Sequence, residues 1–238
     1  MFWFKRKKII VDCLTFDKTI YEYSQLQKAI KFYPDWWKKL PNEYYHGVYT
    51  VPTMKRCHGL IDNYAYGFIL PLWSDLNLII KDRKIHQWQY ADGFSEAVIH
   101  DSAQMGDYMD GSEAAHIKLT TPWRLKSKSE VPFHCVQPYW NYKPFAFMSM
   151  PSGIINFKYQ PSLNVNMFIN VKENSMIELK FGTPLLHIIP LTEKEVVLKH
   201  HLVDVQEYKS MRGVVKFAGN YKEIKKKKQE KERKCPFH

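Results

Sequence analysis

His100 and Asp101 form the most suggestive polar pair in this 238-residue chain, with Asp92, Glu96, Asp107 and Asp110 close by in sequence. A histidine among carboxylates can hold a cation or move a proton. Adjacent residues on a strand point to opposite faces, so the pair reads more simply as an acidic loop with a histidine in it. The same geometry separates His200 from His201, the one adjacent pair among ten histidines. Trp36-Trp37 precedes Lys38-Lys39, the aromatic-plus-cation pattern used to stack single-stranded nucleic acid. Bracketed by Pro34 and Pro41, the two indoles more simply plug the edge of a core. Cys13, Cys57, Cys135 and Cys235 are far apart and form no C-x-x-C pair. They read as free thiols, the first three packed as small apolar groups, and not as a tetrahedral zinc site.

The enzyme motifs searched for are missing from the sequence. It has no H-x-D or H-x-E and no H-E-x-x-H, the spacings that build common iron and zinc centres. It has no G-x-x-x-x-G-K-S/T and no G-x-G-x-x-G, so neither common backbone cradle for nucleotide phosphates is present. Gly93-Phe94-Ser95-Glu96-Ala97 lacks the last glycine of a nucleophile elbow. No catalytic residue, metal or cofactor is therefore expected. The candidate ligand contacts are Trp73, Asp75, Trp123, Arg124, Gln137 and Tyr139. They place polar groups beside tryptophan in strand-rich segments, as small binding sites on a concave sheet do.

The elements that must position these residues follow from periodicity. Ile9 to Phe16 is rich in β-branched and apolar types and predicts a strand. Residues 17–33 carry Tyr21, Leu26, Ile30 and Tyr33 at loose helical spacing. Pro34 to Pro41 predicts a short helical turn, and Leu60 to Tyr66 a helix closed by Gly67. Asp75 to Tyr90 predicts a hairpin turning at Asp82-Arg83-Lys84. Residues 91–116 are weakly patterned and predict a functional loop. From Ile117 onward short apolar runs recur at 8–12-residue spacing, separated by Gly, Pro or Asn. Residues 193–206 favour extended structure. The fold class expected is mainly β (α+β): one antiparallel sandwich or barrel-like domain over residues 1–220. A mixed N-terminal part covers 9–67, a β-rich body 68–220 and a basic tail 221–238. With 45% apolar and 15% aromatic residues, the chain is too apolar for disorder and a packed core is expected.

Charge is concentrated at the ends. The first eight residues carry +4 and the last eighteen +5 of the formal +11, leaving the body near neutral. Any attraction to phosphate is therefore expected at the termini, with Lys225, Lys226, Lys227 and Lys228 as contacts. Glu223, Glu230 and Glu232 interrupt the run, so a solvated tail is an equal reading. No run reaches the roughly 18 apolar residues of a membrane helix. The apolar start precedes its basic cluster, the reverse of a secretory signal, so an intracellular protein is expected.

Five phrases occur in an order that resembles a family of uncharacterised proteins of marine T4-like bacteriophages, cyanophages among them, and of some bacteria. They are FYPDWWKKLP, TMKRCHGLIDNYAYGFILPLWSDLNL, HIKLTTPWRLKSKSEVPFHCVQPYWN, MPSGIINFKYQ and IELKFGTPLLHIIPL, spanning roughly residues 32–191. The resemblance implies a phage origin, hence the host cytoplasm or the virion, and a shared fold, with no activity attached. Gly153-Ile154-Ile155-Asn156-Phe157-Lys158-Tyr159 and Gly182 to Ile189 are similar, more weakly, to the dUTPase-type β-clip proteins. That likeness implies a nucleotide pocket with Asn156, Asp75, Asp101 and His187 near it. Asn156 stands where those proteins keep a water-activating carboxylate, and an amide cannot take that proton. The expectation is thus a non-catalytic binding module, a virion component or a host-directed accessory factor. A nucleotide-binding or nucleotide-hydrolysing β-clip protein and a nucleic-acid binder acting through its basic ends are the alternatives. Phage or host proteins, nucleic acid and further copies of the chain are the partners left open, with no membrane among them.

Overall fold

A computed structural model describes residues 8–90, 97–108, 113–141, 147–211, 223–227 and 229–230. Strands dominate it. The first sheet runs in the order β11 (Met148–Ser149), β13 (Ser162–Asn170), β9 (Ala114–Ser127), β1 (Ile9–Thr15) and β16 (Val196–Leu202), with β8 (Ala97–His100) also on β9. The second runs β12 (Gly153–Asn156), β10 (Pro132–Val136), β15 (Pro184–Pro190), β5 (Phe68–Pro71) and β2 (Gln27–Lys28). A third joins β14 (Ser175–Leu179), β6 (Leu76–Lys81) and β7 (Lys84–Tyr90), and β3 (Glu43–His46) pairs with β4 (Tyr49–Pro52) as a separate hairpin.

Period-two alternation sets the layers. In β1, Ile9, Val11 and Cys13 are buried while Ile10 is exposed. In β13, Leu163, Val165, Met167 and Ile169 face the same core. That core takes Phe68, Leu70, Phe133, Leu185, Leu186 and Ile188 from the second sheet and Leu76, Leu78, Ile177 and Leu179 from the third. Each such side chain withdrawn from water contributes about 1.5–3 kcal/mol. A smaller cluster of Ala29, Leu60, Tyr64 and Ile69 is sheltered by Tyr33, Trp37 and Trp140. It seats α2 (Asp35–Lys39) and α3 (His58–Ala65).

Local chemistry explains the joints. Asp17 caps α1 (Lys18–Tyr23) by accepting from the Ile20 N–H at 2.9 Å, and Asp204 caps α4 (Val205–Ser210) in the same manner. Gly67 carries the chain from α3 into β5 at φ +77°, where a Cβ would lie 2.4 Å from the Ile188 carbonyl oxygen. Only glycine fits there. Asp82 and Arg83 adopt φ 49° and 58°, the left-handed pair of a tight hairpin turn.

The β-rich α+β class stands, and so do the first strand, the Pro-bracketed helix, the helix ended by Gly67 and the hairpin at Asp82-Arg83. Four details differ. β1 and β16 pair in parallel, Ile9 opposite Val196, within otherwise antiparallel sheets, and none of the sheets closes into a barrel among the described residues. The loop expected at 91–116 contains β8, a 3-10 segment at Ser102–Tyr108 and the start of β9; 91–96 and 109–112 lie outside the described residues. The strand expected from Ile117 already begins at Ala114, and this strand, β9, passes through Pro122 with its ladder to β13 shifting register between Ser162 and Asn164. A proline survives inside a sheet at such a bulge, where no ladder bond needs its missing N–H. The basic tail is not simply detached. Residues 223–227 are helical, and Lys225 reaches Glu130 at 3.5 Å and lies over the Tyr159 ring.

Candidate functional site

The two large sheets face each other and end on the same side in edge strands, β16 and β2. Between them runs a groove of about 640 Å³. Its floor is apolar, with Leu26 and Phe68 buried and Val196 and Leu198 alternating along β16. Its rim is basic, with Lys8, Lys28 and Lys31. Glu195 ties down Lys8 at 2.9 Å, while Lys28 and Lys31 have no ion-pair partner among the described residues. Among the described residues, the backbone donors and acceptors of β16 pair in a ladder with β1 on one side only.

His200 projects from β16 into this seam. Its ring meets Trp123 edge-on at 5.3 Å, and a hydrogen bond ties it to the Leu26 backbone. Burial, with the neighbouring His201 adding, holds it below the ordinary histidine range, so it is neutral at pH 7. Its Nε2 is buried without a hydrogen-bond partner among the described residues. His201 points to the opposite face and meets Asp12 at 2.9 Å. The divergence of neighbours on a strand, expected from sequence, is what separates the pair.

The residues expected to bind ligand fall elsewhere, and none of them lines this groove. Trp73 is 3% exposed and packed in the main core. Trp123 is wholly buried, and its indole N–H donates to the Ser24 carbonyl at 2.9 Å. Arg124 is 4% exposed, with its guanidinium 4.9 Å over the Tyr208 ring of α4. These three are interior groups and face no concave surface: Trp123 and Arg124 are turned inward at the β9 bulge, and Trp73 is buried in the segment that joins β5 to β6. Asp75 accepts from the Phe181 N–H at 2.7 Å and from Lys180 at 3.2 Å, which holds its carboxyl below the usual range. It pins the turn between β14 and β15. Gln137 accepts from the Met150 N–H, and Asn156 from the Lys158 N–H, so both amides serve turns. Tyr139 is exposed, with its ring edge-on to Trp140.

The nucleotide-pocket set is likewise dispersed. Asp101 accepts from the Ala103 N–H beside β8, and His187 is fully buried in β15 with Nε2–H donating to the Tyr66 carbonyl at 2.8 Å. Trp37 stacks on Tyr33 at 4.6 Å, with Lys55 4.2 Å over its ring, in the packing role expected, whereas Trp36 is exposed and donates its indole N–H to the Trp140 carbonyl at 2.8 Å. Of the tail lysines, Lys225 shares Glu130 with Lys158, Lys226 and Lys227 are exposed, and Lys228 lies outside the described residues. The groove itself was not foreseen. Lys28 and Lys31 look like ordinary surface cations, and β16 reaches β2 only through the tertiary fold. No family model matches this chain, and neither does any curated protein.

Proposed function

We propose that the chain is a non-catalytic binding module that takes an acidic, extended segment of a partner protein into the seam between β16 and β2. The observation that carries this reading is a strand edge unpaired among the described residues, beside two lysines with no ion-pair partner among them, over an apolar floor. A strand laid along β16 gains main-chain hydrogen bonds, while alternate side chains enter the seam. Val196 and Leu198 offer apolar contact, His200 Nε2 accepts an N–H, and Lys28 with Lys31 attracts carboxylates. Binding rather than turnover fits a groove that presents cations, backbone and apolar surface, with its one lining carboxylate already held by Lys8. The resemblance of five sequence phrases to marine T4-like phage proteins supports placing such a module in a phage, as a virion component or a host-directed factor.

A fluorescent synthetic peptide alternating Glu and Val is the probe, with a Lys/Val peptide as the control. The Glu/Val peptide should bind, and Lys28→Glu with Lys31→Glu together should weaken it about tenfold. Equal affinity for both peptides, or no effect of the double reversal, removes the reading. Mass spectrometry of purified virions beside infected-cell lysate separates the two phage roles.

A further inference from the structure

A second surface is the β3–β4 hairpin. Strand pairing sets Tyr44 opposite Val51, Tyr45 opposite Thr50 and His46 opposite Tyr49. Gly47, at φ +62°, and Val48 make the two-residue tip. Alternation puts Tyr44, His46, Tyr49 and Val51 on one face and Tyr45 with Thr50 on the other. Every residue of β3 is exposed, and in β4 only Val51 is half-buried. Tyr45 is 84% exposed and Tyr49 72%, and Val48 at the tip lies open as well. A two-stranded ribbon is marginal by itself. Aromatic rings left in water on both of its faces mark a contact surface.

Cations stand at the root of the ribbon. α2 leads into β3 with Lys38 and Lys39, and β4 runs into the 3-10 turn Met54–Arg56 with Lys55 and Arg56. The Thr53 N–H, donating to the Asn42 carbonyl at 3.0 Å, ties the two strand ends together. The Lys55 ammonium donates to the Trp37 and Lys38 carbonyls at 3.2 and 2.9 Å, which fixes its charge against α2 without a carboxylate. Residues 34–58 hold two carboxylates, Asp35 and Glu43, and these are engaged by Lys38 at 3.2 Å and Arg56 at 2.6 Å. Lys39 has no ion-pair partner among the described residues. Four cations against two carboxylates leave the root positive.

Open rings beside cations hold unpaired nucleotides: each ring stacks on a base face, and the cations take phosphates. Tyr44 and Tyr49 are diagonal neighbours on their face, about 7–8 Å apart. Stacked bases lie about 3.4 Å apart, so one base fits between the two rings. A flat protein surface would cover one face of the ribbon and leave the tyrosines of the other in water. A single strand can bend around the tip and stack on both, whereas a duplex keeps its base faces inside its own stack. We propose that the β3–β4 hairpin binds single-stranded nucleic acid, with bases stacked on Tyr44, Tyr45 and Tyr49 and phosphates against Lys39 and Lys55. The surface shares no residue with the β16 groove or with the basic tail, so it stands or falls without them.

The test is fluorescence anisotropy of the full chain with labelled oligo(dT), oligo(U) and a duplex of equal length. Tyr45→Ala and Tyr49→Ala should each weaken single-strand binding by about tenfold. Both should leave duplex binding and the melting temperature unchanged, because the two side chains are so exposed. Tyr45→Phe should bind like the parent, since stacking uses the ring and not the hydroxyl. Lys39→Ala should reduce the slope of log affinity against log salt by about 0.7, one phosphate contact. A stronger hold on oligo(U) or on oligo(dT) tells which of the two the site takes, and either supports the proposal. No single-strand binding at low salt, tyrosine variants that bind like the parent, equal losses for the duplex, or a salt slope unmoved by Lys39→Ala would overturn it. So would a changed oligomeric state of Tyr45→Ala in sedimentation velocity, which would make the hairpin an interface between copies.

Discussion

Trp123 separates a core role from a ligand-binding role, and the structure gives the size of the effect. The side chain is wholly buried at the β9 bulge and donates its indole N–H to the Ser24 carbonyl at 2.9 Å. Ser24 is itself 1% exposed. Trp123→Phe keeps an aromatic ring but leaves that carbonyl without its donor, at about 1–3 kcal/mol. The missing indole edge leaves a void costing about 1 kcal/mol more. The sum is about 2–4 kcal/mol, and Trp123→Ala should cost about 3–5 kcal/mol. Urea unfolding at constant m-value measures both. The ring also supports His200 edge-on, so the Phe variant should loosen peptide binding in the seam as well. A loss of stability below about 1 kcal/mol for Trp123→Phe, with ligand binding abolished, would refute the packing account and return Trp123 to the surface role its sequence suggests.

Gly67→Ala forces a Cβ onto the Ile188 carbonyl and should cost about 3 kcal/mol or more, whereas Gly47→Ala, at φ +62° in open space, should cost about 1 kcal/mol; thermal melts of the two variants check the ranking. His187 is buried and its pKa is lowered, chiefly by desolvation. The unfolded chain takes up that proton near pH 6.5 and the folded chain only at lower pH, so the stabilisation is complete above about pH 6.5 and lost as pH falls, by up to about 1.4 kcal/mol per pH unit. Urea midpoints between about pH 7.5 and about pH 5.5 should drop, and His187→Phe should flatten the slope. Glu130→Gln removes the carboxylate shared by Lys158 and Lys225; the Lys225 pair is solvent-facing but the Lys158 side chain is largely buried, and with both separations long the loss should stay within about 1–2 kcal/mol; a larger loss by urea unfolding would mean that the tail helix is integral to the body.

Local rules reached far along this chain and stopped at definite points. Alternation in Ile9–Thr15, the glycine after α3 and the turn at Asp82-Arg83 are decided by neighbours in sequence, and each reads correctly. The parallel partner of β1 could not be read so, because Val196 to Leu202 is a short apolar run whose direction only the assembled sheet fixes. The bulge beside Pro122 could not be read either, because it is visible only once the partner strand is present. Trp73, Trp123 and Arg124 looked like surface ligands because polar-plus-aromatic composition does not say which face is buried. His100 was legible only beside its sequence neighbour Asp101. Its ring stacks on His116, brought opposite by β8, a strand that the weak patterning of 91–116 concealed. His200, named for its adjacency to His201, acquires meaning only from the seam that β2 closes.

Backbone hydrogen exchange with and without the Glu/Val peptide goes directly to the β16 seam. Occupancy along that edge should slow the amides of Val196–Leu202 and of Gln27–Lys28, and leave the Glu43–Pro52 hairpin unchanged. Protection confined to that hairpin, or no change anywhere at saturating peptide, would contradict the docking of a partner strand between the two sheets.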